Sequence, residues 1–444
     1  MRGVFFALAM AAIAAAVAAQ SVFPTGTTHY DPAKAYSSFI LFTGGDNVAR
    51  LIDMNGNVVH EWHNAGDLAT LVDPSLIDGK RGHVLVTLAT ADVSGTDLVP
   101  GAQGRPAQTI GELDWDGKTV WAFGDKAPGK IAYQHHDWDR LPDGNTLVLV
   151  NVVHPIAGFK QPRLLDDAVY EVNTAGEVVW RWIAGDHLDE FGFTPGQLEL
   201  IRNADTADYL HLNSMKRLGP NHWFDGGDRR FDPDNVIISS RNANLVAIID
   251  RRTGKVSWTL GSDYGPEPPG SRRVPRPFDR TSGQHDPHLI PAGLPGAGNL
   301  LVFDNEGPAG YPNLPLAVIG GSRVLEIDPV KKEIVWQYSG EDSGGPGWSF
   351  RSTHISNARR LPNGNTFIDE GQKGRLFQVT PDGEIVWEYV NPYPRRGKDP
   401  RTGRPTANYQ LYRGQPVPYD WAPPGTPHVQ QAVMPPDNTQ FRVR

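Results

Sequence analysis

Six times along the chain, an apolar strand, a polar turn and a second apolar strand end in tryptophan. The runs are "ARLIDMNGNVVHEW" to Trp62, "IGELDWDGKTVW" to Trp121, "VYEVNTAGEVVW" to Trp180, "VAIIDRRTGKVSW" to Trp258, "VLEIDPVKKEIVW" to Trp336 and "LFQVTPDGEIVW" to Trp387. Each reads as a β-hairpin, with Asn, Asp or Gly in the turn and side chains alternating on either side. A repeat of this kind means an array of like units, because one hairpin cannot bury its apolar face alone. Between the hairpins lies a second strand–turn–strand phrase, clearest in "RLPDGNTLVLVN" at 140–151 and "RLPNGNTFIDEG" at 360–371, looser at 76–88, 218–241 and 290–305. Two hairpins per unit make a four-stranded blade, and six units predict an all-β, six-bladed β-propeller. The first Trp hairpin has no preceding partner phrase, and the last is followed by "ANYQLYRGQPVPYDW". A closing blade shared between residues 38–62 and the segment after Asn408 would remove the open sheet edges. The six tryptophans are expected at equivalent places between blades.

Composition narrows the class. Glycine (48) and proline (38) suit many short strands with tight turns. A net charge of −8 argues against nucleic acid as a partner. With no cysteine, disulfides, thiolate metal sites and cysteine nucleophiles are all excluded. The start "MRGVFFALAMAAIAAAVAAQS" has one early Arg, an apolar run and small residues around Ala16–Ala18, the pattern of a secretory signal peptide cleaved near Ala18 or Ala19. The expected organisation is a signal peptide over 1–19, a lead-in over 20–37, the propeller over 38–425 and a tail over 426–444. The mature protein is expected in the periplasm or secreted, with no membrane span.

Aligning the units on the second phrase brings polar residues into register. Five residues before the anchors Leu141, Leu218, Ile290 and Leu361 lie His136, Asn213, His285 and Ser356; seven before lie Gln134, His211, Gly283 and His354. Positions two apart on a strand share a face, and the first strand of a blade lines the propeller axis. At the far end of the following strand, ten, 23, 15 and ten residues after the anchors, fall Asn151, Arg241, Asn305 and Gly371. His136, His211, His285, His354, Asn213 and Arg241 are therefore expected to converge at one end of the axis. The blade anchored at Leu76 puts Leu71 and Ala69 at the equivalent places, an apolar wall. His135 and His288 read as structural.

The ordered set "QHHDWDRLPDGNTLVLVN", "DYLHLNSM" with "IISSRNAN", "GQHDPHLI…LLVFDNEG" and "STHISNARRLPNGNTF" resembles the bacterial arylsulfate sulfotransferase family over roughly residues 38–390. The resemblance implies a six-bladed propeller that moves a sulfuryl group from a phenolic sulfate ester to another phenol. It implies a sulfated histidine intermediate, no nucleotide donor and no cofactor. By that likeness His285 is the nucleophile, His136 and His211 support it, Asn213 and Arg241 complete the catalytic set, and Ser356 stands where well-studied members have threonine. His354 and the Pro/Arg-rich insert at 262–282 depart from the family pattern, which bears on substrate identity.

The residue types suit that chemistry on their own terms. Charge develops on the sulfuryl oxygens and on the departing phenolate, so Arg241, Asn213 and one protonated histidine are suitable donors. A neutral His285 can attack, and another histidine, His211 by the resemblance, can protonate the leaving oxygen. One neutral and one protonated imidazole predict a bell-shaped pH profile. Ser356, His354, Asn305 and Leu71 are the expected substrate contacts, with Tyr409, Tyr412 and Tyr419 available to an aryl ring. Two other functions fit a polar ring on a propeller: a metal-dependent polysaccharide lyase or hydrolase with histidine ligands, and an exported binding propeller without catalysis.

Overall fold

Short strands of Val, Ile, Leu, Phe and Tyr punctuated by Asn-Gly, Asp-Gly and Pro-Asx turns can bury their apolar faces only by stacking sheet on sheet. The computed structural model of the chain shows that outcome, an all-β, propeller-like arrangement of antiparallel sheets. It describes residues 24–66, 68–90, 106–261, 281–313 and 320–435. The expected signal peptide and most of the 262–282 insert lie outside them.

Three sheets have four strands each. One takes Gly414–Val417, Phe39–Thr43, Val48–Ile52 and Val58–His63, so segments from both ends of the chain share it. Another runs Leu212–Arg217, Val236–Ser240, Leu245–Ile249 and Val256–Leu260. The third runs His285–Leu289, Leu300–Asp304, Arg323–Asp328 and Glu333–Tyr338. A fifth strand, Gly26–Tyr30, extends the sheet Asn357–Arg360, Thr366–Glu370, Arg375–Val379 and Ile385–Val390 at its outer edge. Residues 26–30, assigned above to a lead-in, are thus part of a sheet. Val433 of the expected tail bridges Tyr30.

The pairing also yields one eight-stranded sheet where two separate blades were expected. It consists of two four-strand runs, one from Ala69 to Phe123 and one from Gln134 to Ile183, joined by the single pair Ala107↔Gln134. The joint forms where the inner strand of the second run starts beside the third strand of the first.

Between sheets, one indole from each Trp hairpin makes the same bond. Its N–H donates to a carbonyl in the outer hairpin turn of the next unit: Trp62 to Asp114, Trp121 to Asn173, Trp182 to Gly254, Trp258 to Pro329, Trp336 to Pro381 and Trp387 to Met54, all at 2.8–3.2 Å. The expected equivalence of the six tryptophans needs two corrections. In "VVWRW" the bonding indole is Trp182, not Trp180, because the two share a face and Trp182 is the buried one. Trp62 sits two residues further along its strand than Trp121 does, paired with Ala49 where Trp121 pairs with Glu112. Trp387→Phe removes the indole N–H bond to the Met54 carbonyl, leaving Thr27 Oγ1 as its donor, and shrinks a fully buried ring, so it should lower stability by about 1–3 kcal/mol, read as a fall in the urea midpoint at constant slope.

Candidate active site

The inner strands are Gln134–Arg140, Leu212–Arg217, His285–Leu289 and Asn357–Arg360, and each packs beside the next. In the first three, the end that carries the histidines is bulged. Register shifts fall between Val148 and Val150, between Leu212 and Ser214, and between His285 and His288. His136 (φ 58°), His211 (φ 51°) and Asp286 (φ 56°) adopt left-handed backbone there, and Ser356 (φ 89°) does so just before the fourth strand. Bulges re-aim side chains and are frequent beside active sites. They also break the period of two. His136 and His211 stood in different columns of the sequence alignment, yet their Nε2 atoms lie 3.0 Å apart.

A hydrogen-bonded chain runs through this pair. His211 Nδ1 donates to Asp208 Oδ2 at 2.6 Å. His136 Nδ1 lies 2.9 Å from the Tyr412 hydroxyl, which donates to the Asn213 carbonyl at 3.2 Å. Burial pulls the His211 pKa down, but the adjacent Asp208 carboxylate outweighs it and the net shift is upward. Burial, then the charge of His211, drives His136 well below the ordinary histidine value. These shifts favour His211 over His136 as the protonated ring, with the His211 Nε2–H donated to His136. The His136 Nδ1–H then donates to the tyrosine oxygen, and every bond in the chain has one donor and one acceptor.

His285 is in the opposite state. Its Nδ1 lies 2.7 Å from Asn305 Oδ1 and 3.0 Å from the Gly283 carbonyl, two acceptors, so Nδ1 carries the proton. Its Nε2 lone pair accepts the Ile355 N–H at 3.1 Å. Burial, reinforced by the charges of Arg241 and Arg413 against the Asn305 bond, lowers its pKa to about 3. A neutral imidazole with Nε2 as its basic nitrogen is the form that attacks an electrophile. Gly283 supports the strand entry with φ 66° while its N–H donates to Asn244 Oδ1.

The other predicted residues divide. Arg241 lies against Gly283, where an added Cβ would meet its Cγ at 3.9 Å, and it donates to Asn242 Oδ1. Its charge acts on His211, His285 and His354. Asn213 is fully buried; its Nδ2 holds the Gln284 carbonyl at 2.7 Å, and its Oδ1 has no partner among the described residues. Asn305, expected at the substrate, instead orients His285, with Nδ2 tied to the Ser352 and Ile355 carbonyls. Ser356 is also committed, to Ser352 Oγ and the Gly371 N–H. Leu71 packs in an apolar cluster with Phe39, Val417 and Trp421. His354 lines a pocket with Ile355 and Tyr412 and contacts Gln410. Of the three candidate tyrosines, Tyr412 stacks on His136, Tyr419 stacks on His428, and Tyr409 is partly exposed. His135 pairs with Asp167 at 3.1 Å, a structural role.

Two residues escaped the sequence reading. Asp208 lies three before His211 in "DYLH", a carboxylate–imidazole spacing that was legible. Arg413 was not, since it belongs to the closing segment and has no counterpart in the repeats. Its buried guanidinium pairs with Asp137 at 2.7 Å and Asp286 at 3.6 Å and donates to the Asn213 carbonyl, tying three inner strands beneath the histidines. Among the described residues, no group of three or more His, Asp or Glu is placed to hold a metal ion.

The family model described as Arylsulfotransferase (ASST) matches residues 27–391. The chain belongs to the arylsulfotransferase family. Membership supports arylsulfotransferase-type activity and implies aryl sulfates and phenols as substrates. A search for relatives among curated proteins finds no match. Among solved structures, the chain is similar to a protein of unknown function from Bacteroides caccae at 14% identity, covering 86% of this chain and 99% of that one, with a TM-score of 0.47. It is also similar to the Cps50 (Swd1) β-propeller domain of Myceliophteria thermophila, at 11% identity over 85% and 90% with a TM-score of 0.40. A third likeness is to Saccharomyces cerevisiae Sqt1, at 11% identity over 89% and 99% with a TM-score of 0.39. No helix among the described residues is long and apolar enough to cross a membrane.

Proposed function

We propose that this chain transfers a sulfuryl group from a phenolic sulfate ester to a phenolic acceptor through a sulfated His285, with no nucleotide donor. The observation that carries the reading is the split between a neutral His285 and a neighbouring His211 held protonated by Asp208. In the first half-reaction the His285 Nε2 lone pair forms the N–S bond. The S–O bond breaks, and its electron pair leaves on the phenolate, which takes the Nε2 proton of His211 as that N–H leaves His136. In the second half the acceptor phenol returns a proton to His211 as its oxygen attacks sulfur, and the N–S pair reverts to His285. Arg241 supplies positive charge to the sulfuryl oxygens. The Ile355 N–H must leave Nε2 before attack, and the left-handed Ile355 and Ser356 backbone makes that segment costly to hold in place.

The scaffold in this reading is a six-bladed closed propeller. Support comes from the single residue pair joining the two halves of the eight-stranded sheet, and from the Trp387 bond that links the last unit back to the first. Export rests on residues 1–19 alone. The metal-dependent reading is not favoured, since no described cluster suits an ion, and a binding propeller without catalysis would not require the protonation split.

The test is incubation with para-nitrophenyl sulfate, with and without phenol, following nitrophenolate. Release that rises with phenol and yields phenyl sulfate supports transfer; no release under either condition sinks it. Arg241→Lys keeps the charge but loses the planar fork, so kcat/KM should fall roughly ten- to hundredfold without reaching zero, less than loss of an oxyanion donor typically costs.

A further inference from the structure

A two-stranded hairpin, Arg395–Lys398 paired with Pro405–Asn408, stands fully exposed beside the histidine cluster. Its sequence "RRGKDPRTGR" carries Arg395, Arg396, Lys398, Arg401 and Arg404 against the single acid Asp399, on a chain whose net charge is −8. Asp399 is engaged within the turn, accepting the N–H groups of Arg401 and Thr402. The side chains of Arg396, Lys398, Arg401 and Arg404 form no ion pair with any described residue. The base of the hairpin is part of a pocket of about 540 Å³ counted with its open mouth, lined by Arg395, Asn408, Gln410, His354, Ile355 and Tyr412. Ile355 holds His285 Nε2 and Tyr412 holds His136, so the pocket adjoins the reacting nitrogen.

We propose that this pocket and its basic hairpin form a subsite for a second anion, so that the preferred substrates are aryl groups bearing a carboxylate or further sulfate besides the transferred sulfuryl group. The inference rests on the sulfotransfer reading above. A simple aryl sulfate brings one anion, and that anion must lie at His285. A cationic array displaced from it, on an exposed arm of an acidic protein, matches a charge elsewhere on the ring. Such an array also steers anionic substrates to the mouth, an effect that salt screens.

The decisive comparison is between neutral and anionic partners in each half-reaction. Phenol is set against para-hydroxybenzoate as acceptor, and phenyl sulfate against para-carboxyphenyl sulfate as donor. In the variant Arg396→Glu/Lys398→Glu/Arg401→Glu/Arg404→Glu, the ratio of kcat/KM for the anionic over the neutral partner should fall at least about tenfold. The same ratio should fall in the unaltered protein as salt rises past ~0.15 M. Whichever half-reaction shifts identifies whether donor or acceptor carries the second anion. Calorimetric binding of para-hydroxybenzoate, weaker by a similar factor in the variant, gives a readout that needs no turnover. Ratios and binding insensitive to both salt and charge reversal overturn the subsite. Absence of nitrophenolate release in the unaltered protein instead defeats the sulfotransfer reading, and binding then decides the subsite by itself.

Discussion

His285→Asn is expected to abolish donor cleavage, with nitrophenolate release falling by four or more orders of magnitude, about the loss seen when a catalytic nucleophile is removed. Asparagine can still donate to Asn305 Oδ1 and the Gly283 carbonyl from the Nδ1 position, but it stops short of Nε2 and has no ring nitrogen to form the N–S bond. Stability should fall by only about 1–3 kcal/mol, because the variant loses the buried Ile355 N–H bond but little apolar packing. The unaltered protein, given an aryl sulfate and no acceptor, should gain the mass of one sulfuryl group on the peptide containing His285, and phenol should remove it. An adduct on another residue, or turnover by His285→Asn near the original rate, overturns the assignment.

Asp208→Asn should have the second largest effect, and the effect should depend on pH and leaving group. Asp208 raises the His211 pKa against the pull of burial. Without that carboxylate, burial dominates and His211 falls below the ordinary value near 6.5, so it is neutral at pH 7. The proton for the leaving phenolate is then missing. Turnover of phenyl sulfate should drop about 10²–10⁴-fold, and that of para-nitrophenyl sulfate much less, because nitrophenolate departs without help. The sign of the pH shift follows. In the unaltered protein activity falls as pH rises through the raised His211 value, and in Asp208→Asn that alkaline limb moves to lower pH. The acid limb belongs to His285 and lies near its pKa of about 3. The bell expected from the sequence therefore becomes, across the ordinary assay range, a plateau with one alkaline limb. Equal losses for both donors with no movement of the limb would show that Asp208 acts only structurally.

The same proton arithmetic bears on stability. His211 binds a proton more tightly folded than unfolded, so its pairing with Asp208 is stabilising below pH 6.5 and is lost as pH rises through the raised value. His285 and His288, lowered to about 3 and about 4, act in the opposite sense. Their neutral burial is fully favourable above pH 6.5 and is lost as pH falls toward those values.

Much of this molecule was legible from spacing. Two hairpins per unit, tryptophan at the end of the outer one, and a shared sheet from both chain ends all follow from a pattern local to each hairpin, where a turn sets the register and alternation sets the face. The choice of Trp182 over Trp180 was not legible, because both lie on one face and only depth in the stack separates them. The histidines were found by counting from a turn, and the count works because every inner strand begins at the same end. Which of them touch, and in which charge state, depends on bulges at His136, His211 and Asp286 that break the period of two. It depends equally on Arg413, which reaches separate strands, and on Asp208, which is close to His211 in sequence but acts through its buried contact with it. The sequence by itself determined the hairpins, the repeat and the chemical types at the site, since these rest on neighbours along the chain. Only the tertiary structure decided that burial lowers the His285 pKa, that the Asp208 carboxylate outweighs burial at His211, and that Asn305 and Ser356 are occupied in hydrogen bonds, since each of these rests on burial and on how the bulged strands place their partners.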